Sequence, residues 1–328
     1  MKHPVTALAA LMLGATLPGC GGSGDSPAFV PSPPAPASTR VSLAAGNYQD
    51  AAVRTMTASN TTYAYARMAV RVVDDLLNVP LETFPIFSCA GGGLKTLDLT
   101  DKNQDTSLDP GDAVRLRWDH CKENGLTTTG EVRVELTDAM QITGGRDYTI
   151  AITVSNLEMI SDTAGVPTIT ASLVMPVHYT RTATTDHTVI DGAAFTSGAI
   201  AGDSGAATLY LDYLQDSAAQ TYSFSIRGTV NSSMLGGIID FDTPLAFTGV
   251  IGEYPSAGDV SIAGAANSAV RLAEEGSAAA DPGTVLVTVD ANGDGTLDAS
   301  NAMAWSSVVP SQLFDAFMYQ LGIPIPIP

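Results

Sequence analysis

The chain has 328 residues, of which 45% are apolar, and it carries a formal net charge of -19 at pH 7. So large an acidic excess repels the phosphates of nucleic acids and anionic lipid surfaces, which argues against a nucleic-acid-binding protein. The apolar fraction is ample for a folded core. Beyond the first twenty residues, no stretch reaches the roughly eighteen consecutive apolar residues that predict a membrane-spanning helix.

The N-terminus has the features of an export signal. A basic residue, Lys2, is followed by an apolar run from Val5 to Thr16 that ends in Leu17-Pro18-Gly19-Cys20. The run is too short to span a bilayer. This segment resembles the lipobox signals of bacterial lipoproteins, which implies cleavage before Cys20, acylation of Cys20 and a lipid anchor in the cell envelope. Gly21, in place of aspartate, favours the outer membrane without indicating which face. The alternative is ordinary secretion with an unmodified cysteine.

Composition divides the chain into four parts. Residues 1–19 form the signal, and residues 20–43 form a linker rich in proline, glycine and serine, with too few large apolar groups for a core. Residues 44–310 are predicted to form one domain of a helix and many strands. Residues 311–328 are predicted to form a short apolar-faced helix and a proline-rich tail.

The two remaining cysteines, Cys89 and Cys121, belong to a chain that is exported to an oxidising compartment. We therefore predict that they form one disulfide. Closing a loop of about 30 residues stabilises the fold by roughly 3 to 4 kcal/mol in the chain-entropy account. The alternative is a pair of free buried thiols.

The segment from Ala44 to Asn78 has apolar or small residues at steps of three and four, which predicts an amphipathic helix. Asn60-Thr61-Thr62 provides a capping sequence for a second helix, so the segment is expected as one helix or two. Pro80 ends the pattern. We expect this helix to pack against the protein's own sheet, with a partner-binding coiled coil as the alternative.

After Gly91 the hydrophobic period falls to two, as in the alternating pattern of residues 131–136 and 148–155. No helical segment separates the strands, so an antiparallel meander is predicted. About a dozen strands exceed what a flat open sheet accommodates. The predicted fold is therefore mainly β, a strongly curved sheet, half-barrel or barrel with the N-terminal helix packed on it. A two-sheet β-sandwich is the alternative. Further strands are predicted near 167–175, 206–214, 221–230, 238–250, 259–263, 268–273 and 284–289.

Two twelve-residue segments, Asp101–Asp112 and Asp290–Asn301, have oxygen-bearing side chains at positions 1, 3, 5, 9 and 12. We call them loop 1 and loop 2. Over these stretches the sequence resembles the calcium loops of the EF-hand and dockerin families. Thr106 replaces the turn glycine in loop 1, and the neutral Asn301 replaces the terminal acid in loop 2. The ligands implied are Asp101, Asn103, Asp105, Asp109 and Asp112 with the carbonyl of Ser107, and Asp290, Asn292, Asp294, Asp298 and Asn301 with the carbonyl of Thr296.

Neither loop has the bidentate glutamate of a calcium sensor, so we expect weak affinity, on the order of 10⁻⁴ to 10⁻³ M. Alternating apolar residues flank both loops, which predicts that they join strands and not helices. Calcium would then be a structural cofactor that holds a hairpin turn. The alternative is an Asp/Asn/Gly-rich turn that binds nothing.

Catalytic patterns are weak. The sequence Gly202-Asp203-Ser204-Gly205 and the pair His120-Cys121 resemble parts of chymotrypsin-like proteases, but Ala206 stands where those proteases carry another glycine. His178 and His187 are too few for a zinc site. We predict no catalytic residues.

The sequence therefore predicts a lipid-anchored, calcium-stabilised binding or scaffold protein of the envelope that is not an enzyme. Its ligand is expected to be apolar, such as a lipid. Two alternatives stay open: a surface adhesion module that binds an envelope protein partner, and an envelope hydrolase that uses Ser204 and His120.

Overall fold

The computed structural model describes residues 39–77, 87–123, 125–140, 144–162, 168–200, 203–274 and 283–308. The predicted signal, Cys20, most of the linker, and the predicted C-terminal helix and tail lie outside these residues.

The described chain contains a long helix α1 (Tyr48–Leu76), a short helix α2 (Trp305–Val308) and fourteen strands. The strands are β1 (Phe87–Ser88), β2 (Leu94–Thr100), β3 (Ala113–Glu123), β4 (Leu126–Met140), β5 (Arg146–Ser161), β6 (Ile169–Arg181), β7 (Thr185–Ile200), β8 (Asp203–Asp216), β9 (Thr221–Ser232), β10 (Gly237–Val250), β11 (Ala257–Ala263), β12 (Ala269–Glu274), β13 (Thr284–Asp290) and β14 (Ala299–Ala304). Neither helix in this part of the chain is long and apolar enough to cross a membrane.

The strands form one sheet in the order of the sequence, and each strand pairs antiparallel with the next. This confirms the predicted mainly β meander. The described strands do not divide into the two sheets of a sandwich. The sheet is open, with β1 and β14 at its edges, so the closed barrel among the predicted shapes is not formed.

The sheet curves around α1. The helix contacts every strand from β4 to β9 and also contacts β12 and β13. A helix lying on a flat sheet leaves about half of its surface in water. In α1, by contrast, only Asp50 and Asp75 are exposed. The helix is therefore the centre of the core, and the strands surround most of it.

The helix is continuous through Asn60-Thr61-Thr62, so the second helix start that this sequence allowed is not used. The hydroxyls of Ser59 and Thr62 donate back to the carbonyl oxygens of Thr55 and Ala58, at 2.9 and 2.8 Å. Both hydroxyls bond within the helix and do not cap a new one.

The folded body begins earlier than predicted. Val41 and Leu43 are buried in the core, although both fall inside the predicted linker of residues 20–43. The amide of Val41 donates to the carbonyl of Ile238 at 2.9 Å, which fixes this segment beside β10. Two apolar side chains among prolines and serines are too few to give a periodic signal, so composition alone placed the boundary too late.

Successive connections of the meander lie at alternate ends of the sheet, because neighbouring strands run in opposite directions. We call the end that carries the β8–β9 and β10–β11 connections the mouth end. Loop 1, between β2 and β3, lies at the mouth end, and loop 2, between β13 and β14, lies at the opposite end. The chain also enters the body at the opposite end, where the carbonyl of Thr39 accepts a hydrogen bond from Ile238 at the start of β10.

The predicted disulfide between Cys89 and Cys121 is confirmed, with the two Cα atoms 5.4 Å apart. Cys121 lies in β3, and Cys89 immediately follows β1. Both cysteines are buried. The bond therefore fastens the short edge strand β1, which has only two residues of its own, to the interior of the sheet.

Candidate functional site

A row of aromatic side chains crosses the concave face of the sheet from β5 to β10. Directly paired residues of antiparallel strands point to the same face, so the register aligns six side chains in one line. Five of the six are aromatic, and Thr188 on β7 is the exception. We call the five rings the aromatic row. In order, the paired residues are Tyr148, Tyr179, Thr188, Tyr213, Phe224 and Phe247.

Gly258 on β11 makes room for the last ring of the row. A Cβ atom at this position would lie 2.2 Å from Cδ1 of Phe247, and the backbone φ of +139° also disfavours a side chain. The glycine therefore allows Phe247 to be fully buried between neighbouring strands.

Where α1 crosses the row at the mouth end, it leaves an open cleft of about 210 Å³. We call it the aromatic cleft. Its walls come from α1, from β8 and β9, from the β10–β11 connection and from α2. The lining residues are Met56, Ser59, Asn60, Tyr63, Leu211, Tyr213, Tyr222, Phe224, Ile226, Glu253, Tyr254, Pro255 and Trp305.

The rings of the cleft are in contact with one another. The ring centroids of Tyr63 and Tyr213 are 4.5 Å apart, those of Tyr213 and Tyr222 are 6.1 Å apart, and those of Tyr254 and Trp305 are 6.3 Å apart. Tyr254 is 47% exposed, so this side of the cleft opens to solvent. A concave, mostly aromatic surface with a few polar groups is the usual form of a small-molecule site.

Polar groups of the cleft are few, and Glu253, which is exposed, is the one carboxylate among its described lining residues. The hydroxyls of Tyr63 and Tyr213 are hydrogen-bonded to each other, and burial is the main cause that raises the pKa of both. The hydroxyl of Tyr222 donates to the backbone carbonyl of Glu253 at 3.0 Å. Tyrosine is protonated at neutral pH at its ordinary pKa, and the upward shift keeps both hydroxyls of Tyr63 and Tyr213 in that form.

Trp305 is held in place by a carboxylate behind it. The indole Nε1 donates to Oε2 of Glu274 at 3.2 Å, and the backbone amide of Trp305 donates to the carbonyl of Gly283 at 2.8 Å. Burial raises the pKa of Glu274. The two hydrogen bonds fix the orientation of a ring that forms one wall of the cleft.

Loop 1 is folded by its own side chains. Asp101 accepts hydrogen bonds from the amides of Gln104 at 2.6 Å and Thr106 at 2.9 Å. Asp105 accepts from the amide of Ser107 at 2.8 Å, and its other oxygen accepts from the side-chain amide of Asn103 at 2.9 Å. The amides of Gln104, Thr106 and Ser107 thus point to aspartate side chains.

Loop 2 repeats this pattern position by position. Asp290 accepts from the amides of Gly293 at 2.7 Å and Gly295 at 2.8 Å, and Asp294 accepts from Thr296 at 2.7 Å and from the side chain of Asn292 at 3.0 Å. The hydrogen bond from the Thr296 backbone is the main cause that lowers the pKa of Asp294.

The residue at position 6 has a left-handed backbone in both loops, with φ of 68° at Thr106 and 83° at Gly295. A β-branched residue rarely adopts this conformation. Thr106 nevertheless makes the same turn as the glycine that it replaces, and its amide bonds to the first aspartate of the loop in the same way. The replacement of the turn glycine by Thr106 therefore leaves the backbone course of loop 1 unchanged.

The ends of the two loops differ. In loop 1 the buried carboxylate of Asp112 accepts from the amides of Lys102 and Asp109, both at 2.9 Å, and so closes the loop at its twelfth position. In loop 2 the amide of Ala291 makes the equivalent hydrogen bond, which it donates to the carboxylate of Asp298 at 2.7 Å. Loop 2 is thus closed at its ninth position.

Asn301 is not brought together with the other predicted ligands of loop 2. It lies within β14 and pairs with Val287, so it shares the face of that core residue. Asp290 is three residues further along β13 and therefore points to the other face. The hydrogen-bonded side chains of loop 2 therefore come from Asp290 to Asp298 and do not include Asn301.

The described Asp, Glu, His and Cys side chains contain one group of three whose ligand atoms all lie within 4.8 Å of one another, formed by Cys89, Cys121 and Glu123. The sulfur atoms of this group are used in the disulfide. The carboxylates of loops 1 and 2 do not form such a group, so an ion there would need the Asn and backbone oxygens as well.

The weak catalytic patterns do not form an active site. His120 is at an irregular point of β3, with φ of 48°, and its Nδ1 lies 2.7 Å from its neighbour Asp119. Ser204 belongs to β8, five strands away in the sheet order. The protease-like pair is therefore separated by the architecture of the sheet.

The two strand histidines lie on the convex face of the β6–β7 hairpin, each beside its own carboxylate. Nε2 of His178 is 2.6 Å from Asp147, and Nε2 of His187 is 2.7 Å from Asp212. Asp147 lies on β5 and Asp212 on β8, so the two histidine side chains reach toward opposite neighbours. They do not converge with a third ligand.

The aromatic cleft was missed in the sequence because its residues come from five separate segments of the chain. One local signal was present: Tyr222 and Phe224 are two residues apart in a strand, so both rings point to one face. Alignment with Tyr213, Tyr63 and Trp305 depends on strand register and on the path of α1.

Comparison with protein-family models, with curated proteins and with solved structures found no match to this chain.

Proposed function

We propose that this protein is a lipid-anchored, non-enzymatic binding protein of the cell envelope, and that it holds an apolar ligand in the aromatic cleft. The observation that carries the proposal is the cleft itself, an aromatic concave surface between a buried helix and a curved sheet. The lipobox-like signal, which implies acylation of Cys20, supports the envelope location and favours the outer membrane.

The size of the cleft suits part of a small ligand. Its volume of about 210 Å³ exceeds the ~150 Å³ of an engineered apolar cavity that holds benzene. One ring system or a short length of acyl chain fills this space. A longer ligand extends into solvent past Tyr254, where the cleft is open.

The chemistry of the lining supports binding without catalysis. The described lining residues include no histidine, cysteine, lysine or aspartate. Ser59, the one serine, donates its hydroxyl to a helix carbonyl and has no base beside it among the described lining residues. A nucleophile without an adjacent base is weak.

The position of the cleft also fits a tethered receptor. The chain enters the folded body at the end opposite the mouth. The mouth is thus at the end of the body that the entering chain does not occupy. Calcium in loops 1 and 2 would stabilise the hairpin turns, as the repeated hydrogen-bond pattern supports.

The test uses the mature chain from residue 21 onward, made without its lipid, with Trp118→Phe so that Trp305 is the remaining tryptophan. Titration with decanol should give a saturable change in Trp305 fluorescence. Asn60→Phe, which adds a ring within the cleft, should abolish the change. Leu245→Phe, at a side chain that is 60% exposed and does not line the cleft, is the matched control and should bind normally.

Two outcomes would count against the proposal. The first is the absence of saturable binding for decanol and for other apolar probes. The second is equal binding by the Asn60→Phe and Leu245→Phe variants, which would place the ligand elsewhere on the protein.

A further inference from the structure

The aromatic row is interrupted at Thr188, and this gap is polar. Thr188 is fully buried, and its hydroxyl has no hydrogen-bond partner among the described residues. Tyr179 and Tyr213 flank it on the neighbouring strands. A threonine between two tyrosines is the smallest side chain of the line and leaves an unsatisfied hydroxyl in the middle of the concave face.

Arg67 of α1 adds a second unsatisfied group at the same place. It lies on α1 between Tyr63, whose ring centroid is 4.5 Å from that of Tyr213 on β8, and Val70, whose carbonyl accepts the hydroxyl of Tyr148 on β5. This turn of the helix therefore lies over β6 and β7, which carry Tyr179 and Thr188. The Nη1 atom of Arg67 is buried and has no hydrogen-bond partner within the part of the chain that the structure describes. A buried donor without a partner costs free energy, and the cost is larger for a charged group.

Asp186 does not satisfy the guanidinium. Its Oδ1 atom accepts the hydroxyl of Tyr179 at 2.5 Å and lies 3.5 Å from Nε of Arg181. The described residues provide no carboxylate within ion-pair distance of Arg67, although the chain as a whole has a net charge of -19. The positive charge of Arg67 is therefore available to pair with an anionic group of a ligand.

The gap adjoins the aromatic cleft. Tyr63 and Tyr213 line the cleft, and Arg67 follows Tyr63 by one turn of α1. The two tyrosine hydroxyls share one hydrogen bond, so one O–H of the pair remains to donate to a ligand. The cleft thus has an apolar length and, at its inner end, hydrogen-bond donors beside a positive charge.

We propose that the ligand is an amphiphile with a carboxylate head group, which binds in the gap between Arg67, Thr188 and Tyr213 while its apolar tail lies in the aromatic cleft. This inference rests on the proposed function of the cleft. The head group accepts the O–H of the Tyr63–Tyr213 pair that is not used in the hydrogen bond between them. A carboxylate offers about four acceptor positions, and its hydrogen bonds to a guanidinium are stronger than those between neutral groups.

The test compares decanoate with decanol, which have the same tail length, by calorimetric titration of the lipid-free mature chain. Decanoate should bind about tenfold more tightly than decanol, as expected for one added charge-assisted hydrogen bond. Arg67→Met should reduce decanoate binding to the level of decanol. Thr188→Val should weaken decanoate binding by a smaller factor. Arg71→Met, one turn further along the helix and outside the cleft, is the matched control and should keep the preference.

The outcomes separate the two proposals. Equal binding of decanoate and decanol by the wild-type protein would overturn the carboxylate inference and leave the apolar site standing. A preference that persists in Arg67→Met would also overturn it. Failure of both compounds to bind would instead contradict the proposed function. If Arg67→Met does not fold, the comparison of decanoate with decanol in the wild-type protein still tests the carboxylate inference. Arg67→Lys should then retain part of the preference for decanoate.

Discussion

Oδ1 of Asp74, in the last turn of α1, accepts a hydrogen bond from Nη1 of Arg146 on β5 at 2.6 Å. The same oxygen accepts the hydroxyl of Tyr148 at 3.0 Å, and Oδ2 lies 3.4 Å from Arg181 on β6. An acid near a helix C-terminus is unfavourable for the helix dipole. Two arginines and a tyrosine offset that effect and fasten the end of the central helix to the sheet at the mouth end.

Asp74→Asn should therefore destabilise the protein. The substitution removes the negative charge that pairs with Arg146, whose side chain is 28% exposed, and leaves only neutral acceptors at residue 74. Breaking a fully buried pair costs 3 to 5 kcal/mol, and partial exposure lowers our expectation to about 2 kcal/mol. The measurement is urea unfolding. Asp75→Asn, at the exposed neighbouring position, is the matched control and should stay within about 0.5 kcal/mol of wild type. A loss for Asp74→Asn no larger than that for Asp75→Asn would show that the link to β5 does not stabilise the protein.

Gly258→Ala should cost about 2 to 3 kcal/mol, because the new methyl group would overlap the ring of Phe247 at a backbone conformation that favours glycine. Thermal unfolding measures the loss. Gly46→Ala is the control, since an added Cβ there meets no atom within 4 Å. An unchanged melting temperature for Gly258→Ala would mean that β11 does not approach Phe247 as described.

Calcium should raise the melting temperature of the mature chain at millimolar concentrations. An ion at about ten times its dissociation constant contributes about 1.4 kcal/mol per site. Asp290→Ala should remove the contribution of loop 2, and Asp101→Ala that of loop 1. Asn301→Ala should keep the full response, because Asn301 pairs with Val287 inside β14. If calcium does not raise the melting temperature of the wild-type protein, both loops are hairpin turns that calcium does not stabilise.

Glu274→Gln should stabilise the protein at neutral pH. Because burial raises the pKa of Glu274 in the folded state, the folded form binds its proton more tightly than the unfolded form. Wild-type stability therefore falls as pH rises from below the ordinary glutamate pKa to above the raised one. Glutamine does not ionise and still accepts the Trp305 N–H.

The two proteins should have equal melting temperatures near pH 3, below the usual glutamate range, and the variant should gain a small advantage as the pH rises to neutral. Partial exposure of Glu274 keeps the difference small. A variant that is less stable at neutral pH would show that the charge itself is needed to hold Trp305.

Much of the fold was predictable from local pattern. Alternating residues such as Val132, Val134 and Leu136 identified strands, and the absence of helices between strands gave the antiparallel meander. β7 escaped prediction because Gly192, Ala193 and Ala194 lie in its middle and give little hydrophobic contrast between its faces. A strand of small residues is recognisable mainly by its neighbours, which supply the hydrogen bonds and the packing.

The candidate site was less predictable. The loops could be found because all their side chains lie within twelve residues and bond to backbone amides close by. Asn301 was included in that set because sequence spacing gives no account of where loop 2 ends and β14 begins. The hydrogen bond from the amide of Ala291 to Asp298 shows that loop 2 closes at its ninth position.

The sequence by itself determined the properties that depend on near neighbours: the strands, the helix period, the cysteine pair and the turns rich in aspartate. Tertiary structure alone decided that the sheet stays open, that it curves around α1, and that Thr188 breaks a row of aromatic rings opposite Arg67. The physical reason is that these relationships depend on strand register and helix path. Both are set by how the whole core packs, and no local stretch of residues encodes them.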